Sequence, residues 1–263
     1  MARIKTATGI ALGYEDAGVG EATPIVFLHG VGSDKSAWRP QLDHFRSERR
    51  AIAFDYPGYG DSDSAPTGTT RDDFAATILA AMTELGVIKA HVCGLSLGGV
   101  VAIAMHQAWP RRLASLILAD TFAEHPEGQA IYDRSIAASE HMRALAESRV
   151  DVLLAQPADP VLRSEVIETM ARVAPPAYRI GAEAVWLADQ RDRARRIAVP
   201  TLVLCGAQDV VTPPPLSTAL ARLIPGAQSE LVHGAGHLAN IERPDEFNLL
   251  VSAFIRGADS RAS

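Results

Sequence analysis

One short stretch of the chain carries residues whose types and spacing suit nucleophilic catalysis. Ser96 lies in the sequence Gly94-Leu95-Ser96-Leu97-Gly98, with one apolar run before it and another after it. This pattern predicts a sharp strand-to-helix turn that holds the serine hydroxyl above the end of a sheet, where a carbonyl carbon can be attacked. The same five-residue pattern also occurs by chance in tight connections. A catalytic interpretation therefore requires a base, an acid and an oxyanion hole elsewhere in the chain.

Two later residues have the chemistry and the chain order that such a serine needs. A serine hydroxyl is a poor nucleophile near neutral pH, so it requires a general base, and the base requires an acid that fixes its tautomer. Asp209 and His237 each follow a predicted strand, in the order serine, aspartate, histidine. Asp120 and Asp55 also end predicted strands and compete for the acid role. The simpler interpretation of both is that they cap loops or turns.

The elements that must position these residues alternate between strands and helices. Continuous apolar runs at residues 24–28, 51–55, 113–119 and 200–205, together with the run before Ser96, predict buried strands with helices between them. A hairpin within residues 2–16 and a short strand at 229–232 complete the predicted sheet. The last helix is expected to begin at Pro244, and the chain is expected to fray from Gly257 onward.

Residues 121–196 break this alternation. The segment has no strand signal and contains several short amphipathic stretches, one of which begins with Asp159 as an N-cap before Pro160. Such a segment between two strands predicts a helical cap over the carboxyl-terminal edge of the sheet. We therefore expect a core formed by residues 1–120 and 197–263, with residues 121–196 inserted into it as the cap.

Composition narrows the classes of protein to consider. The chain has 263 residues, 48% hydrophobic residues and a formal net charge of −6, so no basic face for nucleic acid is expected. No apolar run approaches the ~18 residues of a membrane span, and the first residues do not resemble a signal peptide. Cys93 and Cys205 lie in apolar runs and are expected to be buried thiols in a reducing, cytoplasmic setting. No phosphate-binding loop, metal-ligand cluster or dinucleotide motif is found, so no cofactor or metal is expected, and oligomeric state is left open.

Five sequence blocks together resemble the α/β-hydrolase family over nearly the whole chain. They occur in family-like order and spacing: Phe27-Leu28-His29-Gly30, Asp55-Tyr56-Pro57-Gly58-Tyr59-Gly60-Asp61-Ser62, Gly94-Leu95-Ser96-Leu97-Gly98-Gly99, Gly206-Ala207-Gln208-Asp209 and Gly234-Ala235-Gly236-His237. The resemblance implies an α/β fold with a mostly parallel, eight-stranded twisted sheet, helices on both faces and a helical cap. It also implies that Ser96, Asp209 and His237 form a catalytic triad.

The resemblance assigns further roles around the triad. The oxyanion hole is expected to use the backbone N–H groups of Leu97 and Val31. His29 is expected to have a structural hydrogen-bonding role in its turn. His29, Gly30 and Trp186 are candidates for the wall of the substrate pocket.

Single residues separate the subfamilies. Ser96 argues against haloalkane dehalogenases and α/β-fold epoxide hydrolases, which use aspartate at this turn, and Leu238 argues against meta-cleavage-product hydrolases, which tend to carry tryptophan there. Similarity to 3-oxoadipate enol-lactonases is found at residues 176–178, 185, 188–189, 191 and 196–200, and in the loops 208–212 and 237–242. The turn His29-Gly30 departs from that likeness.

The implied function is hydrolysis of a small carboxylic ester or lactone, 3-oxoadipate enol-lactone among them, through an acyl-enzyme. The alternatives are a generic carboxylesterase, a cofactor-free haloperoxidase or perhydrolase, and a ligand receptor without turnover. A lactonase of this kind needs a cation for the substrate carboxylate. The predicted cap offers Arg134, Arg143, Arg163, Arg172 and Arg179.

Overall fold

The computed structural model describes residues 2–262, and its eight strands form a single sheet. The strands are β1 (Ala2–Lys5), β2 (Ala11–Ala17), β3 (Ile25–Leu28), β4 (Ala51–Phe54), β5 (Ala90–Leu95), β6 (Leu113–Ala119), β7 (Thr201–Gly206) and β8 (Gln228–Val232). Their spatial order is β1-β2-β4-β3-β5-β6-β7-β8. Only the β1–β2 and β2–β4 pairs are antiparallel. The predicted eight-stranded, mostly parallel sheet is confirmed.

Eleven helices surround the sheet within the described residues. They are α1 (Arg39–Phe45), α2 (Arg71–Glu84), α3 (Leu97–Ala108), α4 (Gly128–Ala138), α5 (Met142–Leu153), α6 (Pro160–Ala171), α7 (Pro175–Trp186), α8 (Arg191–Arg195), α9 (Pro214–Leu223), α10 (Ala239–Glu242) and α11 (Pro244–Ala262). Two apolar clusters cover the two faces of the sheet. One includes Phe74 of α2 and Ile103 of α3, and the other includes Phe45 of α1 and Phe254 of α11. Strands buried on both faces explain why the central ones are continuous apolar runs.

The parallel strands bring their carboxyl ends to one edge of the sheet. In the centre, Phe27 of β3 pairs with Cys93 of β5, and Cys93 pairs in turn with Ile117 of β6. The loops that leave β3, β5, β6, β7 and β8 therefore start side by side, which is where open α/β sheets place their ligands.

Five helices, α4 to α8, lie between β6 and β7. Asp159 caps α6 as the sequence predicts, since its carboxylate accepts hydrogen bonds from the amides of Val161 and Leu162. An isolated antiparallel bridge between Glu124 and Asp189 joins the two ends of this segment. We propose residues 121–196 as a cap inserted into a core of residues 1–120 and 197–263.

The expected fraying of the chain from Gly257 is wrong. Helix α11 continues through that glycine to Ala262. The Asp259 carboxylate lies 3.2 Å from the Arg49 guanidinium and 3.0 Å from Nε2 of the buried His91. Polar contacts between distant parts of the chain thus hold the last turns of the helix in place.

Two expectations from composition concern single features of the chain. Cys93 and Cys205 are buried and form no disulfide, which confirms the prediction of buried thiols. Over residues 2–262, the structure has no helix with the length and apolar character that a membrane span requires.

Candidate active site

Ser96 occupies the sharp turn between β5 and α3. Its backbone φ of 56° is positive, a conformation that residues other than glycine rarely adopt. The turn is tight because a Cβ atom on Gly94 would lie 2.1 Å from the carbonyl oxygen of Gly98, and one on Gly98 would lie 2.0 Å from the carbonyl oxygen of Leu28. The Ser96 hydroxyl oxygen is buried and has no hydrogen-bond partner within residues 2–262. A strained serine with an unpaired hydroxyl is typical of a reactive position.

Asp209 and His237 are hydrogen-bonded to each other. His237 donates from Nδ1 to Oδ2 of Asp209 over 2.9 Å, and both side chains are buried. This bond fixes the tautomer in which the other ring nitrogen, Nε2, is the basic one. The structure thus places the predicted base, His237, and the predicted acid, Asp209, in direct contact. Ser96 and His237 are joined by no direct hydrogen bond in this state.

The Asp209 carboxylate accepts three further hydrogen bonds from its own loop. They come from the amides of Val211 and Thr212, at 2.7 and 2.9 Å, and from the Thr212 hydroxyl, at 2.6 Å. Burial alone would raise the pKa of Asp209, but the charge and hydrogen bond of His237 and the bonds from Thr212 outweigh it. They lower the pKa of Asp209 to about 2. The group is therefore an anion throughout the neutral range.

A second buried carboxyl group, Asp120, lies close to Asp209 at the end of β6. Its Oδ1 accepts a 2.7 Å hydrogen bond from the Gly206 amide. Its Oδ2 is buried and has no hydrogen-bond partner within the described residues. Burial, followed by the charge of Asp209, raises the pKa of Asp120 well above its ordinary value. Its surroundings therefore favour the protonated form of Asp120, whereas those of Asp209 favour the anion.

Asp120, Cys205 and Asp209 bring three potential metal-ligating atoms within 4.8 Å of one another. Metal binding requires deprotonated ligands. Burial raises the pKa of both the Asp120 carboxyl and the Cys205 thiol, and Asp209 is already engaged by His237. We therefore assign no metal to this cluster.

The loop after β3 lies against Ser96. A Cβ atom on Gly30 would lie 3.4 Å from Cβ of Ser96, which is an ordinary contact distance, so the loop and the serine turn are adjacent. Val31 follows it in the same loop, and its amide makes no hydrogen bond within residues 2–262. Leu97 is the first residue of α3, so its amide has no partner inside the helix. Two unused N–H groups are thus available near the serine turn.

His29 has the structural contacts that the sequence suggests. Its Nδ1 lies 2.8 Å from the carbonyl oxygen of Gly30, and its ring packs between the rings of Tyr56 and Tyr59. Burial lowers the pKa of His29, so the ring is neutral. Its contacts stabilise the turn between β3 and Val31.

The end of the loop after β3 is also held by a buried ion pair. The Lys35 ammonium lies 2.7 Å from the Asp55 carboxylate and also contacts Asp61, while the Lys35 amide donates to Asp55 over 2.8 Å. Burial tends to lower the pKa of Lys35, but the bonds to Asp55 and Asp61 raise it overall. Asp55 thus connects the end of β4 to the loop that carries Val31.

Trp186 is packed rather than open to solvent. Its ring stacks on Phe122 with centroids 5.9 Å apart and meets the edge of His125 at 5.6 Å. His125 in turn contacts the carbonyl oxygen of Val211 through Nε2, over 3.2 Å. The Trp186 side chain therefore forms part of the contact between the inserted helices and the loop of Asp209.

Sequence reasoning missed two residues that hold the pair Asp209–His237. Thr212 contacts both members, and its position three residues after an aspartate is a usable signal, because such spacing typifies capped turns. Glu242 accepts hydrogen bonds from the amides of Gly236 and Ala155 and so ties the His237 loop to the inserted helices. No local pattern points to that long-range contact.

Comparisons with known proteins agree with the fold. The model of the alpha/beta hydrolase family matches residues 25–248. The 3-oxoadipate enol-lactonase 2 of Acinetobacter baylyi is 29% identical over 258 residues, which cover 95% of each chain.

Solved structures are similar over nearly the whole length. The enol-lactonase from Burkholderia xenovorans has a TM-score of 0.90 at 28% identity and covers 97% of this chain and 100% of its own. A thermophilic esterase from Thermogutta terrifontis, solved with malate bound, has a TM-score of 0.89 at 29% identity and covers 98% of both chains. The family match spans most of the sequence, and the fold agrees with it. This chain belongs to the alpha/beta hydrolase family.

Proposed function

We propose that this protein hydrolyses small carboxylic esters or lactones through an acyl-enzyme. Ser96 is the nucleophile, His237 is the general base, and Asp209 is the acidic member of the triad, whose carboxylate orients His237. The observation that carries the proposal is the 2.9 Å bond from His237 Nδ1 to an ionised Asp209, which leaves Nε2 basic. The unpaired Ser96 hydroxyl, which the serine turn holds at the same edge of the sheet, supplies the group that such a base activates.

The reaction follows from these groups. His237 takes the proton of the Ser96 hydroxyl as the oxygen attacks the substrate carbonyl, and the amides of Leu97 and Val31 donate to the oxygen that becomes negative. The imidazolium, stabilised by Asp209, then protonates the leaving alkoxide, and the acyl group stays on the serine. His237 then takes a proton from water as the water attacks the acyl-enzyme. The bond from the acyl carbon to the Ser96 oxygen breaks, His237 returns the proton to that oxygen, and the carboxylic acid leaves. In a lactone the leaving oxygen remains tethered to the acyl group, so one ring-opened product results.

The relatives support the choice of substrate class. Both an enol-lactonase and an esterase share the fold over nearly the whole chain, and both activities use the same acyl-transfer chemistry. The enol-lactone of 3-oxoadipate is the specific substrate we propose first, because the Acinetobacter relative bearing that name covers 95% of this chain. His29, Gly30 and Trp186 are proposed to border the pocket that receives the substrate.

Hydrolysis of p-nitrophenyl acetate tests the mechanism. We expect turnover by the native chain and a loss of at least ~10³-fold in kcat for Ser96→Ala, since removal of a triad nucleophile typically costs this much or more. The matched control is Ser229→Ala, which changes an exposed serine in β8. A fluorophosphonate should label Ser96, as mass spectrometry can show. Undiminished hydrolysis by Ser96→Ala would overturn the proposal.

A further inference from the structure

We propose that a cleft between the inserted helices and the loop of Asp209 binds a free carboxylate of the substrate through Arg134 and Arg149. The inference rests on the proposed ester or lactone hydrolysis and narrows its substrate class. The substrates would carry a carboxylate that an apolar chain separates from the carbonyl group to be attacked.

The cleft has the size and the walls for a small molecule with an apolar middle. Its volume is about 390 Å³. Helices α4 and α5 form one side, and the segment from Val210 to the start of α9 forms the other. Val152 is 43% exposed and Val210 68% exposed, so apolar surface faces solvent inside the cleft. Further apolar lining comes from Ile131, Val211 and Leu216.

The charged groups of the cleft favour an anion. Arg134 and Arg149 contribute two positive charges and Glu127 one negative charge, so the lining has a net charge of +1, whereas the whole chain has −6. His125 also lines the cleft. Burial lowers its pKa, and its Nδ1 accepts a hydrogen bond from the Glu127 amide, so the ring is neutral.

Arg134 and Arg149 differ from the other four arginines that the sequence offers as carboxylate-binding candidates, because those four are held in ion pairs. The remaining four each have a carboxylate partner: Arg143 with Glu168, Arg163 with Asp151, Arg172 with Asp34 and Arg179 with Glu140. Neither Arg134 nor Arg149 makes an ion pair or a side-chain hydrogen bond within residues 2–262. Their guanidinium groups are therefore free to form the paired hydrogen bonds that arginine makes with carboxylates.

The cleft borders the loop that carries Asp209. Val211 lines it, and the amide of this residue donates to the Asp209 carboxylate over 2.7 Å. His125 lines it as well, and its ring meets the edge of Trp186. The proposal requires that a substrate whose carbonyl lies at the serine turn extend past these residues, so that its distal end lies at the arginines.

Two esters that differ only in the distal group provide the test. The mono-p-nitrophenyl ester of adipic acid carries a free carboxylate, and p-nitrophenyl hexanoate has the same acyl length without it. We expect the native chain to prefer the adipate ester in kcat/KM. Arg134→Gln and Arg149→Gln should each lower kcat/KM for that ester by roughly 10-fold or more, the usual cost of losing a charge-assisted bond. The hexanoate ester should change less than about 2-fold.

Arg143→Gln is the matched control, because Arg143 lies on α5 and is paired with Glu168 outside the cleft. If the native chain hydrolyses both esters equally well, or if the two cleft variants slow both esters alike, the carboxylate inference is wrong and the proposed hydrolysis stands. If neither ester is hydrolysed, the proposed function fails for these substrates. Calorimetric binding of adipate to the native chain and to Arg134→Gln then decides the inference, which requires binding that the substitution weakens.

Discussion

Oδ1 of Asp120 accepts a 2.7 Å hydrogen bond from the amide of Gly206, at the start of the loop that carries Asp209. Two buried carboxyl groups lie side by side at this edge of the sheet, and their surroundings shift their pKa values in opposite directions. Asp209 accepts four hydrogen bonds and its pKa is lowered to about 2, whereas Asp120 accepts one hydrogen bond and burial raises its pKa. Environment, rather than residue type, thus separates an acid partner for histidine from a structural carboxyl group.

Replacement of each carboxyl group by its amide should distinguish them. Asp209→Asn removes the negative charge beside His237 and should lower kcat by about 10³–10⁴-fold, the range known for the equivalent change in serine proteases. Asp120→Asn retains an oxygen that can accept from the Gly206 amide and should keep kcat within a few-fold of the native value. Steady-state kinetics on one ester suffice. A larger loss in Asp120→Asn than in Asp209→Asn would reverse the two assignments.

Acid should destabilise the fold through His91. Burial and the charge of Arg49 outweigh Asp259 and lower the pKa of His91 from 6.5 to about 4. Between these two values the unfolded chain binds the proton and the folded chain does not, so the free energy of unfolding falls as the pH drops from 6.5 to 4. The whole effect is about 3 kcal/mol at most.

His91→Gln removes this titration. We expect the difference in unfolding free energy between the native chain and the variant to shrink by that amount when the pH is lowered from 7 to 4. Urea unfolding at a series of pH values measures it, and other titrating groups cancel in the difference. Curves that stay parallel over this range would contradict the prediction.

The continuation of α11 through Gly257 predicts a stabilising substitution. Gly257 is exposed, and a Cβ atom there would meet nothing within 4 Å. Gly257→Ala should therefore raise the free energy of unfolding by about 0.5–1 kcal/mol, because alanine favours the helix. Gly98→Ala is the contrasting change, since its Cβ atom would collide with the Leu28 carbonyl oxygen, and it should lower the melting temperature. A frayed terminus would leave Gly257→Ala without effect.

The ion pair of Lys35 with Asp55 should contribute to stability in an asymmetric way. Lys35→Met leaves the buried Asp55 carboxylate without its cation and should cost about 3–5 kcal/mol in unfolding free energy. Addition of Asp55→Asn removes the unpaired charge and should recover part of the loss. Urea denaturation of the single and double variants measures both effects. Additive losses would show that the two side chains do not interact.

The sequence predicts the sheet well because buried parallel strands are continuous apolar runs. The predicted strands at 51–55 and 113–119 match β4 and β6 to within a residue. The turn at Ser96 can also be predicted from sequence, because it needs glycines on both sides of the serine. The expected fraying at Gly257 fails for a different reason. The partners of Asp259 are Arg49 and His91, which lie far away in the chain, so local composition cannot reveal them.

The cleft that contains Arg134 and Arg149 could not be predicted from the sequence. Arg134 is one of five equivalent candidates in the sequence, and only the ion pairs of the other four distinguish it. Arg149 was not among the candidates at all, because nothing in its own helix marks it. Which side chains of α4 and α5 face the loop after Asp209 depends on how the helices pack. Packing of this kind is determined by contacts across the whole fold.

The bridge between Glu124 and Asp189 has a consequence for how such a protein can change. The chain leaves and re-joins the sheet at neighbouring points, which a 2.8 Å bond from the Gln190 amide to the Ala123 carbonyl oxygen reinforces. Everything between these points can lengthen, shorten or be exchanged without shifting the register of β6 against β7. Chimeras spliced at these two points would exchange the proposed cap. We expect them to remain hydrolytic only where the new segment supplies a partner for Glu242, because this residue now ties the His237 loop to Ala155.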